Sequence, residues 1–261
     1  MWHLFKTTAL PMYAAQTALT QLNPHVSVDC VIFGFDADEL KVLLIERNID
    51  PYDNKSRLFS LPGNLVDDNE DLDSSAKRIL SELTSLNNLF LEQFYAFGDP
   101  NRVKNSSDAQ WLNSIREVPT ARVITVAYYS LVKIGDYQPS ASSFARKAFW
   151  CRVSEVPELA FDHNLILNKA LSSLKNKLRV EPIGFELLPE KFTLGQLQKV
   201  YETILGTELD KRNFRRKILN KGFIKQLEEK QKGVPHKRAS LFEFDQIAYE
   251  KIRTEQFNFD F

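Results

Sequence analysis

Cysteine is scarce in this chain of 261 residues: there are two, Cys30 and Cys151, far apart and each inside an apolar, strand-like run. No disulfide framework is legible, and both read as small buried side chains in a reducing, cytoplasmic compartment. Histidine is nearly as rare, and its four scattered copies form no zinc spacing with the cysteines. A membrane span is missing as well. The first 24 residues, MWHLFKTTALPMYAAQTALTQLNP, hold too many Thr and Gln for one, and they lack the basic-then-apolar order of a signal peptide. They read as a poorly ordered arm, with Met12 a second candidate start. Net charge is also absent, with 34 Lys+Arg against 34 Asp+Glu, so the total says nothing about partners.

The distribution of that charge is informative. Residues 191–238 carry thirteen Lys+Arg and five Asp+Glu, a net of +8, which leaves −8 on the rest. In the same stretch Thr193 can cap a helix, LGQLQKVYETILG, whose apolar positions Leu194, Leu197, Val200, Tyr201, Ile204 and Leu205 share a face. Gly206 ends it. Asp210 can cap a second helix, KRNFRRKILNKG, closed by Gly222. FIKQLEEKQ and ASLFEFD then read as strands around KGVPHKR. Helix, turn, helix and hairpin predict a winged helix-turn-helix, and its positive charge suits a polyanion.

Residues 61–86, LPGNLVDDNEDLDSSAKRILSELTSL, organise the remainder. A Pro-Gly turn leads through an acidic loop into a helix with Ala76, Ile79, Leu80, Leu83 and Leu86 at helical spacing, capped by Ser74 or Asp73. The stretch resembles the Nudix box, G-x5-E-x7-R-E-U-x-E-E-x-G-U. Glu70, Arg78, Leu80 and Glu82 match it. Asn64, Ile79, Leu83 and Ser85 replace a Gly, two Glu and the last Gly. A Nudix site holds Mg²⁺ in a cluster of carboxylates at i, i+3 and i+4. With Ile79 and Leu83 apolar, Glu82 stands alone on that helix and is free to pair with Arg78, so the reading is a retired catalytic helix. No catalytic residue, metal ligand or cofactor is expected.

Strands are predicted at VSVDCVIFGFD, LKVLLIERN, 89–99, 121–134 and 148–153. A further helix runs from about Asp162, capped there or at Asn164. Residues 101–120 read as a polar surface insertion. The fold class is therefore α/β: a Nudix-like mixed α/β sandwich followed by an α+β winged helix-turn-helix domain. The boundaries are an arm at 1–24, a sensing domain at 25–180, a connector with a packed apolar centre at 181–191 and the winged domain at 192–261.

Taken whole, the chain resembles Nudix-related bacterial transcriptional regulators. It lies nearest the branch that controls sugar use in Bacteroidetes, through DCVIFGFD, AKRILSELTSL, ARVITVAYYSL and VEPIGFELLPEKFTLGQLQKVYETILGTELDKRNFRRKIL. That resemblance implies a homodimer on a pseudo-palindromic operator, with an effector in the old Nudix cleft. A sugar such as L-arabinose is the main expectation, bound near Asn64, Glu70, Asp99 and Arg122, with Phe59 a possible aromatic face. The alternatives are ADP-ribose, whose diphosphate Arg47, Arg102 and Arg122 can meet, and a residual hydrolase. On the DNA side, Arg212, Asn213 and Arg216 are expected nearest the base edges, with Arg215 and Lys217 on the same helix and Phe214 and Ile218 inward. Lys232, His236, Lys237 and Arg238 form the expected wing contact.

Overall fold

The computed structural model describes residues 21–36, 39–48, 58–104, 108–109, 112–113, 116–231, 233 and 238–253. The expected arm to residue 20 and the wing residues Lys232, His236 and Lys237 lie outside them.

The first strand, β1 (Leu22–Asp36), is the hub of a mixed seven-stranded sheet. It pairs antiparallel with β2 (Glu39–Arg47) and β4 (Gly63–Asp67), and parallel with β6 (Ile124–Lys133). β3 (Phe59–Ser60) and β7 (Ala145–Arg152) pair with β2, and β5 (Glu92–Phe97) pairs with β6. Side chains alternate across the pleat and so supply two cores. Val28, Cys30 and Ile32 of β1 pack with Leu43 and Ile45 of β2 on one face. Val31, Phe33 and Phe35 pack with Val42 and Leu44 on the other.

Each face is covered by a helix. α1 (Leu72–Thr84) lays Ala76, Ile79, Leu80 and Leu83 on the first. α2 (His163–Val180) lays Ile166, Leu167, Ala170, Leu174 and Leu178 on the second. Fully burying such a side chain contributes about 1.5–3 kcal/mol, so the box helix is held by packing on its sheet. The expected strands are all present, with shifted ends. Residues 63–67, expected as loop, form β4, because Pro62 turns the chain beside β1 and its carbonyl accepts from Cys30 N at 2.8 Å.

Two cap expectations are corrected. Asp71, not Ser74 or Asp73, caps α1, accepting from Ser74 N at 2.7 Å. The Asp73 carboxylate is taken instead by the Tyr128 hydroxyl, 2.5 Å away. Asp162 precedes α2 but makes no cap bond, and Asn164 turns back to Leu159 N and Pro157 O. At the other end of α1, Ser85 sits at φ 59°, the left-handed turn for which the box ordinarily supplies glycine.

A 3-10 turn (Ile183–Leu187) joins α2 to the second unit, with Phe185 and Leu187 buried. There, α3 (Leu194–Leu205) opens with a capping box between Thr193 and Gln196 and closes on Gly206 at φ 71°. α4 (Lys211–Asn220) follows, then the hairpin of β8 (Ile224–Lys230) and β9 (Ser240–Phe244). Phe192 bridges to Phe242 as a third short rung. α5 (Gln246–Arg253), which sequence reading missed, is capped by the Asp245 side chain. The core of this unit continues that of the sheet without a break. Phe185 stacks against Phe192, Phe223 and Phe244 at 5.5, 5.6 and 4.7 Å between ring centres.

Candidate functional site

One cleft in the sheet domain gathers buried charge. It lies where β1, β4 and the start of α2 meet, and its described lining includes Asp29, Asn64, Arg102, Arg116, Phe161 and His163. Asp29 is its centre. Thr125 Oγ1 donates to one carboxylate oxygen at 2.7 Å, and Arg102 Nη2 lies 3.4 Å from the same oxygen. The other oxygen faces His163 Nε2 at 3.4 Å. His163 Nδ1 accepts from Leu61 N at 3.0 Å, so the ring proton sits on Nε2, toward Asp29. Burial pulls the His163 pKa below its usual value, with Asp29 opposing. Gly63 is required here, because a Cβ would come within 1.9 Å of Asp29 Oδ1.

Arg102 also grips Asp162, through Nε at 3.0 Å and Nη2 at 2.8 Å. That fork explains the missing cap on α2: the carboxylate in the capping position is already committed. Beside it Arg47 and Asp108 form an ion pair at 2.8 Å, with both side chains at 0% exposure. Asp108 also accepts from Phe161 N at 3.0 Å, and the Phe161 ring lies under the Arg47 guanidinium at 5.5 Å. Charges this dry persist only when paired. The pairs therefore tie the insertion at 101–120 to the sheet and to the start of α2.

The sequence-predicted effector residues separate. Asn64 lines the cleft, its Oδ1 accepting from Leu65 N at 2.8 Å. Glu70 faces the box helix, bound by Arg78 Nε at 2.7 Å, and Arg78 also holds Glu82 at 3.0 Å. Asp99 is exposed and accepts from Asn101 N, while Arg122 is exposed and donates to Gly98 O. Phe59 packs edge-on against Phe149 as part of the core. Of the arginines set against a diphosphate, Arg47 and Arg102 belong to the buried cluster. Arg116 and Asp29 were missed. A lone Asp in an apolar strand was the available signal for Asp29; Arg116 had none.

The Mg²⁺ implied by the Nudix fold does not fit these residues. Ile79 is fully buried and Leu83 nearly so, where acids are needed, and Arg78 neutralises both remaining glutamates. Among the described residues no group of three or more His, Cys, Asp or Glu is placed to hold a metal.

A larger groove of about 600 Å³ lies between the two units. Its walls mix Glu39, Lys175 and Glu202 with Arg152, which pairs with Glu39 and Glu155, so no single charge faces a ligand there.

On the second unit, α4 turns Phe214 and Ile218 inward, as expected, and leaves Lys211, Arg212, Arg215 and Arg216 in solvent. Asp210 caps it by accepting from Asn213 N at 2.7 Å. Arg216 Nη2 donates to Asn213 Oδ1 at 2.8 Å, which orients the two expected base readers together. Lys217 is half-buried, and Arg238 is exposed two residues before β9. No helix among the described residues is long and apolar enough to cross a membrane.

Comparison with known proteins places both units. The NUDIX domain family matches residues 23–171, and the NrtR DNA-binding winged helix domain matches residues 184–244. The "ADPR responsive transcriptional repressor NtrR" of Acinetobacter baylyi is 32% identical over 211 residues, covering 79% of this chain and 77% of that protein. An "ADP-ribose pyrophosphatase" of Methanocaldococcus jannaschii is 27% identical over 146 residues, covering 56% of this chain and 72% of its own length. The crystal structure of Shewanella oneidensis NrtR complexed with a 27mer DNA superimposes with a TM-score of 0.60 at 26% identity, covering 86% of this chain and 95% of that one. The chain therefore belongs to the NUDIX family, and within it to the NrtR-like proteins that join this domain to a DNA-binding winged helix.

Proposed function

We propose that the protein is a transcriptional regulator whose operator affinity is set by ADP-ribose bound in the cleft around Asp29, and that its NUDIX domain senses without hydrolysing. The observation that carries this reading is the pairing of an exposed basic helix with a buried, arginine-lined cleft in one chain. Exposed guanidinium groups at the start of a helix suit base edges and phosphates. Buried guanidinium groups suit a diphosphate.

The comparisons favour ADP-ribose over L-arabinose, since both curated relatives carry ADP-ribose in their names. The geometry supports the same choice. A neutral sugar needs free carboxylates, yet Glu70 is bound by Arg78, and Asp29 is engaged by Thr125 and Arg102. Loss of hydrolysis is supported by the burial of Ile79 and Leu83 in the core. The cleft has a volume of about 30 Å³, so its lining must part to admit a ligand. The regulator acts as a homodimer that sets two copies of α4 one helical turn of DNA, or a multiple, apart.

The test is fluorescence anisotropy of a labelled operator in EDTA with ADP-ribose, L-arabinose and related pentoses added separately, alongside an assay for turnover of ADP-ribose with Mg²⁺. The expected result is a shift of roughly 5–150-fold in operator affinity with ADP-ribose, the usual range of allosteric coupling. No response to the sugars and no hydrolysis are expected. Response to a pentose alone, or turnover with Mg²⁺, overturns the proposal.

A further inference from the structure

The charged groups of the cleft are not equally satisfied. Arg47 has Asp108, and Arg102 is shared between Asp29 and Asp162. Arg116 stands apart. Its backbone is anchored in the insertion, with N donating to Leu112 O at 2.9 Å, and its side chain lines the cleft. No ion pair of Arg116 occurs among the described residues, and its Nη1 is buried without a hydrogen-bond partner. Burial pushes its pKa down to about 10, with Asp29 opposing and Arg102 adding to the fall.

A guanidinium in this state is an incomplete site. The two N–H donors on its Nη1 have lost water and gained no acceptor in return. Charge-assisted hydrogen bonds to an anion restore what burial removed, and a planar fork matches the oxygens of a phosphoryl group. Asp29 makes no hydrogen bond or ion pair with Arg116, and Thr125, Arg102 and His163 already engage its carboxylate. A neutral sugar offers only weaker hydroxyl acceptors.

Building on the ADP-ribose reading above, we infer that Arg116 is the receiver of the ligand's anionic diphosphate. Arg102 stays locked to Asp29 and Asp162 as scaffold. Arg116 thereby sets specificity for an anionic ligand over a neutral one, from a position outside the Nudix box.

The experiment is isothermal titration of the full chain and of its R116Q, R116K and R146Q variants with ADP-ribose, inorganic pyrophosphate and ribose, after confirming a cooperative melt for each. Arg146 is an exposed control on β7, its side chain 70% accessible. R116Q is expected to weaken ADP-ribose about 10- to 100-fold, the equivalent of a hydrogen bond to a charged group. R116K should fall between, since an ammonium keeps the charge and loses the fork, and R146Q should match the parent. ADP-ribose affinity unchanged in R116Q overturns this inference and leaves the ADP-ribose reading standing. A parent that binds pyrophosphate through Arg116 and ignores ADP-ribose supports the anion receiver and overturns that reading. A parent that binds neither overturns both. If R116Q fails to fold, R116K decides: affinity equal to the parent's rejects the fork, and a loss supports it.

Discussion

The cleft and the recognition helix hold their arginines in opposite states. At the cleft Arg102, and beside it Arg47, are dry, and each has a carboxylate at 2.8 Å. On α4, Arg212, Arg215 and Arg216 lie in water, with one side-chain bond among the described residues, from Arg216 to Asn213. A buried charge is a commitment: it fixes where its partner must be, and removing either partner leaves a desolvated ion behind. An exposed charge commits nothing and remains available to any polyanion. The same residue type therefore shapes the fold in one region and stays available to a partner in the other.

The sharpest way to break that contrast is to remove Asp108. Asp108→Ala takes the buried carboxylate from Arg47 and is expected to cost about 3–5 kcal/mol, or roughly 6–20 °C in melting temperature, measured by calorimetry. A variant that melted with the parent would show the pair to be unimportant. On α4 the expectation reverses. Arg212→Ala and Arg216→Ala should each weaken operator binding by about 1–3 kcal/mol and leave folding stability within about 0.5 kcal/mol of the parent's. Arg215→Ala should act on all sequences alike, lowering the slope of log affinity against log salt by about one. Unchanged operator binding in Arg212→Ala and Arg216→Ala would remove α4 from the role assigned to it.

The smallest expected effect is a pH dependence at the cleft. Burial holds the folded His163 below its usual pKa near 6.5. The unfolded chain therefore takes up a proton on acidification before the folded chain does. Stability is full above about pH 6.5 and falls as pH drops from there toward the folded pKa, by at most about 1.4 kcal/mol per unit from this group. Melting curves from pH 8 to 5.5 should show that slope, and His163→Gln should flatten it. Equal slopes in both proteins would place the titration elsewhere.

The parts legible in the sequence were those with a period or a cap. The alternating apolar residues of β1, the stripe Ala76, Ile79, Leu80, Leu83 and the Thr193 capping box announce their elements, and the structure has them. Where several residues compete for one role, position slips. The run DDNEDLDSS offers seven residues of capping type, and where α1 starts on the sheet selects Asp71. The short helix α5 escaped because eight residues carry little period of their own. The cleft escaped for a different reason. Its partners are far apart in the chain, with Arg47 and Asp108 separated by 61 residues and Arg102 and Asp29 by 73, so no local spacing marks them. Sequence reading looked for ligand groups near the box and so chose Glu70, which Arg78 already holds.

The apolar core that runs from Phe33 of β1 through Leu178 of α2 and Phe185 to Ile218 of α4 has no seam at the boundary between sensor and reader. A ligand that tightens one half thus protects the other from melting. Heat should carry the whole chain through one transition, with calorimetric and van't Hoff enthalpies equal, and ADP-ribose should raise that single midpoint. A winged fragment cut out at residue 184 keeps Phe192, Phe223 and Phe244 around Phe185 but loses the sheet side of that core, so it should melt below the whole chain. The winged unit is thus expected to draw part of its stability from the sheet.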